Sequence, residues 1–225
     1  MTAVPRPAPA AEEDVVPRYS TAARLSHWAV AVAYIALFFS GLALFHPFFF
    51  WTSSLFGGAA FMRLLHPYLG SAFFVFFLVY ALRLREDNRL LPSDRQWLRG
   101  MTGYMTRKAE LPVEGKYNAG QKMMYWSMLT IIPLLFLTGM AIWRPYFAPS
   151  LPLVFRRVAG LCHATLAFIM FVGIGVHVYA AYWTKGTMRA MTRGTVTGAW
   201  ARFHHPVWYA RVTGRRADAP PAEGR

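Results

Sequence analysis

Residues 158–184 read VAGLCHATLAFIMFVGIGVHVYAAYWT, 27 positions without one Asp, Glu, Lys or Arg. About 20 apolar residues are enough for a helix to cross the hydrocarbon core of a bilayer. This run therefore predicts a membrane-spanning helix. It carries two histidines, His163 and His177, 14 residues apart. Along a helix that spacing is about 21 Å, and the rotation of about 1,400° falls within roughly 40° of four whole turns. The two imidazoles thus face the same way at two depths.

Three more runs lack charged residues: 25–62, 64–82 and 123–143, of 38, 19 and 21 residues. The second and third each fit one crossing. The first is too long for one and is cut internally. His46 precedes Pro47, which pushes it out of helical backbone, and Thr52-Ser53-Ser54 and Gly57-Gly58 follow as loop signals. Four helices are predicted, over about residues 21–45, 64–84, 121–143 and 156–184.

Composition agrees. Of 225 residues, 56% are hydrophobic and 15% charged, against about 45–50% and 25% in soluble domains. A disordered chain and a soluble globule are both excluded. The fold class is all-α, an integral membrane four-helix bundle in one domain over residues 18–210. Residues 1–17, rich in Pro and Ala, read as a loose arm, and 211–225 as a disordered tail. Between the second and third spans, Trp97, Met101, Tyr104 and Met105 recur at helical spacing. They predict a short amphipathic helix on the membrane surface. The single cysteine, Cys162, excludes an internal disulfide, an all-cysteine cluster site and a covalent haem on Cys-x-x-Cys-His.

The net charge of +14 would suggest nucleic acid in a soluble protein. In a membrane protein its distribution matters more, and no nucleic-acid partner is predicted. Twenty of the 24 Lys and Arg fall before the first span, between the second and third, or after the fourth. The other side has only Arg63, Arg144, Arg156 and Arg157. The positive-inside rule places both termini in the cytoplasm.

Five of the seven histidines lie in or at the ends of the apolar runs. Ionisable residues inside a membrane are costly and point to function. The alternative for any one of them is a hydrogen bond to a neighbouring helix. Topology pairs four by depth: His66 with His163 near the outer surface, His27 with His177 near the cytoplasmic one. Two b-type haems, each held by two histidines in the bundle core, account for all four. Gly41, Gly70, Gly139, Gly173 and Gly175 leave room for a flat macrocycle, or for close helix packing. A zinc site needs converging ligands, which the 21 Å span forbids for His163 and His177. A proton relay would add Asp or Glu, and the four runs have none. His46 is a weaker ligand candidate, and His204-His205 reads as surface contacts.

The block Gly115-Lys116-Tyr117-Asn118-Ala119-Gly120-Gln121-Lys122-Met123-Met124 resembles the cytochrome b (gamma) subunit of respiratory membrane-bound formate dehydrogenases. So do Leu65-His66-Pro67, Thr138-Gly139, Ile142-Trp143-Arg144-Pro145-Tyr146-Phe147, Lys185-Gly186 and His204-His205-Pro206 with Trp208-Tyr209. The resemblance runs from about Arg18 to Arg211.

It implies a multi-pass subunit of the bacterial inner membrane. That subunit anchors an iron–sulfur subunit and a catalytic formate-oxidising subunit. Electrons pass from the clusters to the outer haem, the inner haem and then a membrane quinone. Formate oxidation itself is not in this chain. The implied haem ligands are His27, His177, His66 and His163. The implied quinone site is Asn118, Gln121 and His177; independently of the resemblance, the charges of Lys116 and Lys122 beside it could stabilise a reduced, anionic quinone. Taken alone, Asn118 and Gln121 read better as a helix cap and its N3 partner; the resemblance favours the quinone. The rivals are the corresponding subunit of a hydrogenase or thiosulfate reductase, and a haem-free membrane anchor.

Overall fold

The computed structural model describes residues 14–105 and 113–215. Four long helices are apolar enough to cross a membrane: α1 (Thr21–Phe45), α2 (Ala59–Arg83), α5 (Ala119–Ile142) and α6 (Leu153–Trp183). Between and after them lie α3 (Pro92–Arg99), α4 (Met101–Met105), α7 (Thr187–Arg193), α8 (Gly198–His204) and α9 (Pro206–Thr213). Two short strands, β1 (Val15–Pro17) and β2 (Thr195–Thr197), pair antiparallel with Val16 opposite Val196.

Local chemistry sets the ends of the spans. The Ser20 side chain accepts from the Ala23 amide at 3.2 Å and caps α1. His46 breaks that helix in extended backbone, with φ −146° and ψ 138°. A 3-10 segment, Pro47–Phe56, follows, and its last turn closes on Gly57 at φ 73°. Gly58, at φ 103°, then opens α2. No side chain would tolerate that backbone without strain.

Three helices start earlier than predicted. α2 begins at Ala59 rather than 64, α5 at Ala119 rather than 121, and α6 at Leu153 rather than 156. A charge-free run stops at the first Arg, but an arginine near a helix end can carry its head to the interface. Arg63, Arg156 and Arg157 are therefore helical. At 31 residues, α6 is roughly 46 Å long and overhangs a hydrocarbon core of about 30 Å.

The spans pack in sequence, α1 on α2, α2 on α5 and α5 on α6, while α1 and α6 touch only briefly. Phe73, Phe77, Ala81, Tyr125, Ile132 and Met170 fill the centre. Phe74 stacks on Phe136 at 4.3 Å and Phe38 on Phe171 at 4.7 Å. The outward faces stay apolar, with Val32, Val75, Leu137 and Phe168 all exposed. That suits lipid rather than water as the surrounding medium.

One end of the bundle, the basic end, carries a second small core of Val16, Ala190, Val196, Ala201, Trp208 and Tyr209. This corrects three expectations. Residues 15–17, placed in a loose arm, form β1, because Val16 is buried against that core. Residues 211–213, placed in the tail, complete α9 before Gly214 at φ 69°. The surface helix is two short helices instead, α3 and α4, and Trp97 points inward against Val113 and Ala119. Residues 1–13 and 216–225 of the arm and tail, and the side chains of Tyr104 and Met105, lie outside the described residues.

Candidate functional site

α1 and α5 run away from the basic end, and α2 and α6 return to it. His27 therefore sits at the basic end of α1 and His177 near the basic end of α6. His66 and His163 sit near the opposite end, on α2 and α6. The fold brings these four together in two pairs. The rings of His27 and His177 have centroids 6.3 Å apart, and those of His66 and His163 are 6.4 Å apart.

The distances test the fit of a haem. A metal–imidazole bond is about 2.0–2.1 Å, so two ring centroids can stand at most about 6.5 Å apart and still share one metal ion. Both pairs meet that limit. The rings are tilted 46° and 72° to each other. His27 Nδ1 is buried without a hydrogen-bond partner among the described residues. Its neighbour Trp28 donates its indole N–H to the Met191 carbonyl at 3.2 Å, tying this end of α1 to α7. The residues present fit a bis-histidine haem at each level.

The glycines act more locally than composition suggests. A Cβ at Gly41 would stand 3.3 Å from His66 Cε1, and one at Gly139 would stand 3.2 Å from His163 Cε1. Both glycines make room for an imidazole. Gly70 faces Leu37, Gly173 faces Met124, and Gly175 has open space around it.

At the basic end, the Asn118–Gln121 pair forms a capping box. Asn118 Oδ1 accepts from the Gln121 amide at 2.9 Å, and Gln121 Oε1 accepts from the Asn118 amide at 3.0 Å. Each side chain spends its oxygen on the helix start and keeps an NH2 group as donor. The two lysines are not free, which corrects their expected role. Lys122 is 1% exposed and bonds both carboxylate oxygens of Asp94, at 3.1 and 2.8 Å. Lys116 pairs with Asp87 at 3.3 Å and lies over the Tyr19 ring. Asp94 also accepts from the Leu91 amide at 2.7 Å, so it caps α3 and pins it to α5.

His205 is the other correction. Expected at the surface, it is 2% exposed. Burial, and then the Arg18 charge, push its pKa down to about 3, so the ring is neutral. Its Nδ1–H donates to the Gly115 carbonyl at 3.3 Å, and Nε2 accepts from Arg18 at 3.2 Å. Arg18 also donates to the Lys116 carbonyl at 2.6 Å, and its guanidinium lies over Trp200 and Trp208. The segment before α5 thus ties the N-terminal strand to the C-terminal helices. Burial and the neighbouring Tyr19 push the Tyr117 hydroxyl well above its ordinary pKa. His46 accepts from the Phe48 amide at 3.2 Å and caps the 3-10 segment.

Comparison with known proteins gives the family. The family model described as prokaryotic cytochrome b561 matches residues 18–194. The formate dehydrogenase cytochrome b556(fdo) subunit of Escherichia coli K12 is 37% identical, over 88% of this chain and 94% of its own length. The nitrate-inducible formate dehydrogenase cytochrome b556(Fdn) subunit of the same organism is 36% identical, over 89% and 93%. The formate dehydrogenase cytochrome b556 subunit of Haemophilus influenzae is 36% identical, over 85% and 81%. With a family match across most of its length and relatives covered almost end to end, the chain belongs to the prokaryotic cytochrome b561 family.

Proposed function

We propose that this chain is the membrane anchor and electron-transfer subunit of a formate dehydrogenase complex. In that complex it joins an iron–sulfur subunit to the membrane quinone pool. The observation that carries this reading is the double histidine pairing, at 6.3 and 6.4 Å, in a chain 37% identical to a formate dehydrogenase cytochrome subunit. Membership of a cytochrome b family implies b-type haem, which supplies one-electron transfer when bound. We assign two, with His66 and His163 holding the outer one and His27 and His177 the inner one. The basic end faces the cytoplasm of a bacterial inner membrane. A haem-free anchor would have no use for two levels of paired intramembrane histidines.

The quinone site we assign to Asn118, Gln121 and His177. Support comes from packing. Met124 of α5 meets Gly173 of α6. One turn further towards the basic end, three residues back along α5 and four forward along α6, come Gln121 and His177. The two steps rise about 4.5 and 6 Å, so the two side chains share a level to within about 1.5 Å. The NH2 groups left over from the capping box suit a quinone carbonyl.

The test is a difference spectrum of membranes from cells expressing the whole complex. Formate should reduce a b-type haem signal, and added quinone should reoxidise it. Without this chain both responses should vanish. A formate-reducible b signal of undiminished size in membranes lacking the chain would refute the assignment.

A further inference from the structure

Each outer histidine is hydrogen-bonded to a hydroxyl on another helix. Ser40 Oγ lies 2.8 Å from His66 Nδ1, and Thr138 Oγ1 lies 3.0 Å from His163 Nδ1. A hydroxyl has one proton and two lone pairs. Ser40 Oγ is 2.8 Å from the Ala36 carbonyl and 3.1 Å from that of Leu37. Thr138 Oγ1 is 2.7 Å from the Leu134 carbonyl and 3.1 Å from that of Leu135. Carbonyl oxygens only accept, so each hydroxyl gives its proton to its own helix. What remains for the histidine is a lone pair, and Nδ1 must then carry the hydrogen. Both rings are thereby fixed as the Nδ1–H tautomer, with the ligating lone pair on Nε2.

We infer that Ser40 and Thr138 are positioning residues for the outer haem: each sets the tautomer and rotation of one ligand and makes its Nε2 more basic. This rests on the reading of His66 and His163 as a haem pair. An imidazole whose N–H donates becomes a stronger ligand through its other nitrogen. A stronger donor favours the oxidised iron, so the two hydroxyls lower the outer midpoint potential. His27 Nδ1, at the inner pair, has no hydroxyl partner among the described residues.

The arrangement is also duplicated. Ser40 is followed by Gly41 and Thr138 by Gly139, and each glycine gives its histidine room. The separations from hydroxyl to histidine are 26 and 25 residues. Two helix pairs use one device, although the sequence has no recognisable internal repeat.

The experiment is potentiometric titration of the intact complex, with low-temperature electron paramagnetic resonance of the oxidised haems. The variants are Ser40→Ala, Thr138→Val and Thr138→Ser. Valine keeps the shape of threonine and removes the hydroxyl, and serine keeps the hydroxyl. We expect the outer potential to rise and its resonance to shift in Ser40→Ala and Thr138→Val. Thr138→Ser should stay near the wild-type values, and the inner haem should be unchanged throughout. Loss of the outer haem from Thr138→Val with its retention in Thr138→Ser would carry the same meaning. Unmoved potentials and resonances in both hydroxyl-free variants, with two haems present, would overturn this inference alone. So would equal shifts in Thr138→Ser and Thr138→Val. A wild-type complex with one haem per chain would overturn the parent reading and this one together.

Discussion

Gly139 of α5 lies so close to His163 of α6 that a Cβ on the glycine would stand 3.2 Å from the ring's Cε1. Gly139→Ala should therefore move the ring by a few tenths of an ångström. Alanine favours the helix by about 0.5–1 kcal/mol, while overpacking costs about 1–3 kcal/mol. The net loss of stability lies between about zero and about 2.5 kcal/mol, and the distinguishing effect should show in ligand geometry. Low-temperature absorption should display a shifted outer component and an unchanged inner one. An unaltered spectrum from Gly139→Ala would mean that His163 is not a ligand.

Two low-spin b haems per chain are expected from the two pairs. His66→Ala or His163→Ala should remove the outer component, and His27→Ala or His177→Ala the inner one. A pyridine haemochrome assay giving one haem per chain would refute this. So would loss of the same component from His163→Ala and His177→Ala.

Both termini are expected in the cytoplasm, from the 20-to-4 division of basic residues. Reporter fusions after Arg211 and within residues 52–58 check it. A periplasmic signal from the C-terminal fusion would reverse the topology and exchange the inner and outer assignments.

The capping box makes simple alanine variants ambiguous at Asn118 and Gln121, because losing an N-cap alone costs about 0.5–2 kcal/mol. Asn118→Asp and Gln121→Glu keep the capping oxygens and remove the NH2 donors. These variants should melt near the wild-type temperature, accept electrons from formate normally and reoxidise slowly with quinone. Normal reoxidation in both would leave the pair as a helix cap and place the quinone elsewhere.

His205 gives the basic end a pH dependence. Its pKa is about 3 when folded, against 6.5 for a free histidine. The unfolded chain binds the extra proton, so the stabilisation is complete above about pH 6.5 and is lost progressively down to about pH 3. The size is on the order of a few kcal/mol. Protease protection of the Arg18–His205 region should fall as pH drops through that window. His205→Gln should flatten the response. An equally steep response in that variant would assign the dependence to another group.

The spans and the histidine pairing were legible because lipid imposes a strong, local rule: a long charge-free run is a helix, and its rise and turn fix what shares a depth. The start at Ala59 was hidden because Arg63 looks like a boundary until its reach to the interface is considered. The basic end was the least legible. Val16 meets Val196, Lys122 meets Asp94, and His205 meets Arg18 across 28 to 187 residues of chain, and no short pattern announces such partners. The Asn118–Gln121 cap could be read from spacing alone, and it is there.

α1 touches α6 only briefly, whereas α1 packs on α2 and α5 on α6 along their lengths. The bundle is two hairpins leaning together. Each hairpin holds one hydroxyl, one glycine and the histidine packed against them, Ser40 and Gly41 with His66 and Thr138 and Gly139 with His163. Only the packing of one half against the other brings the His66 ring to 6.4 Å from that of His163, so this pair belongs to neither hairpin alone.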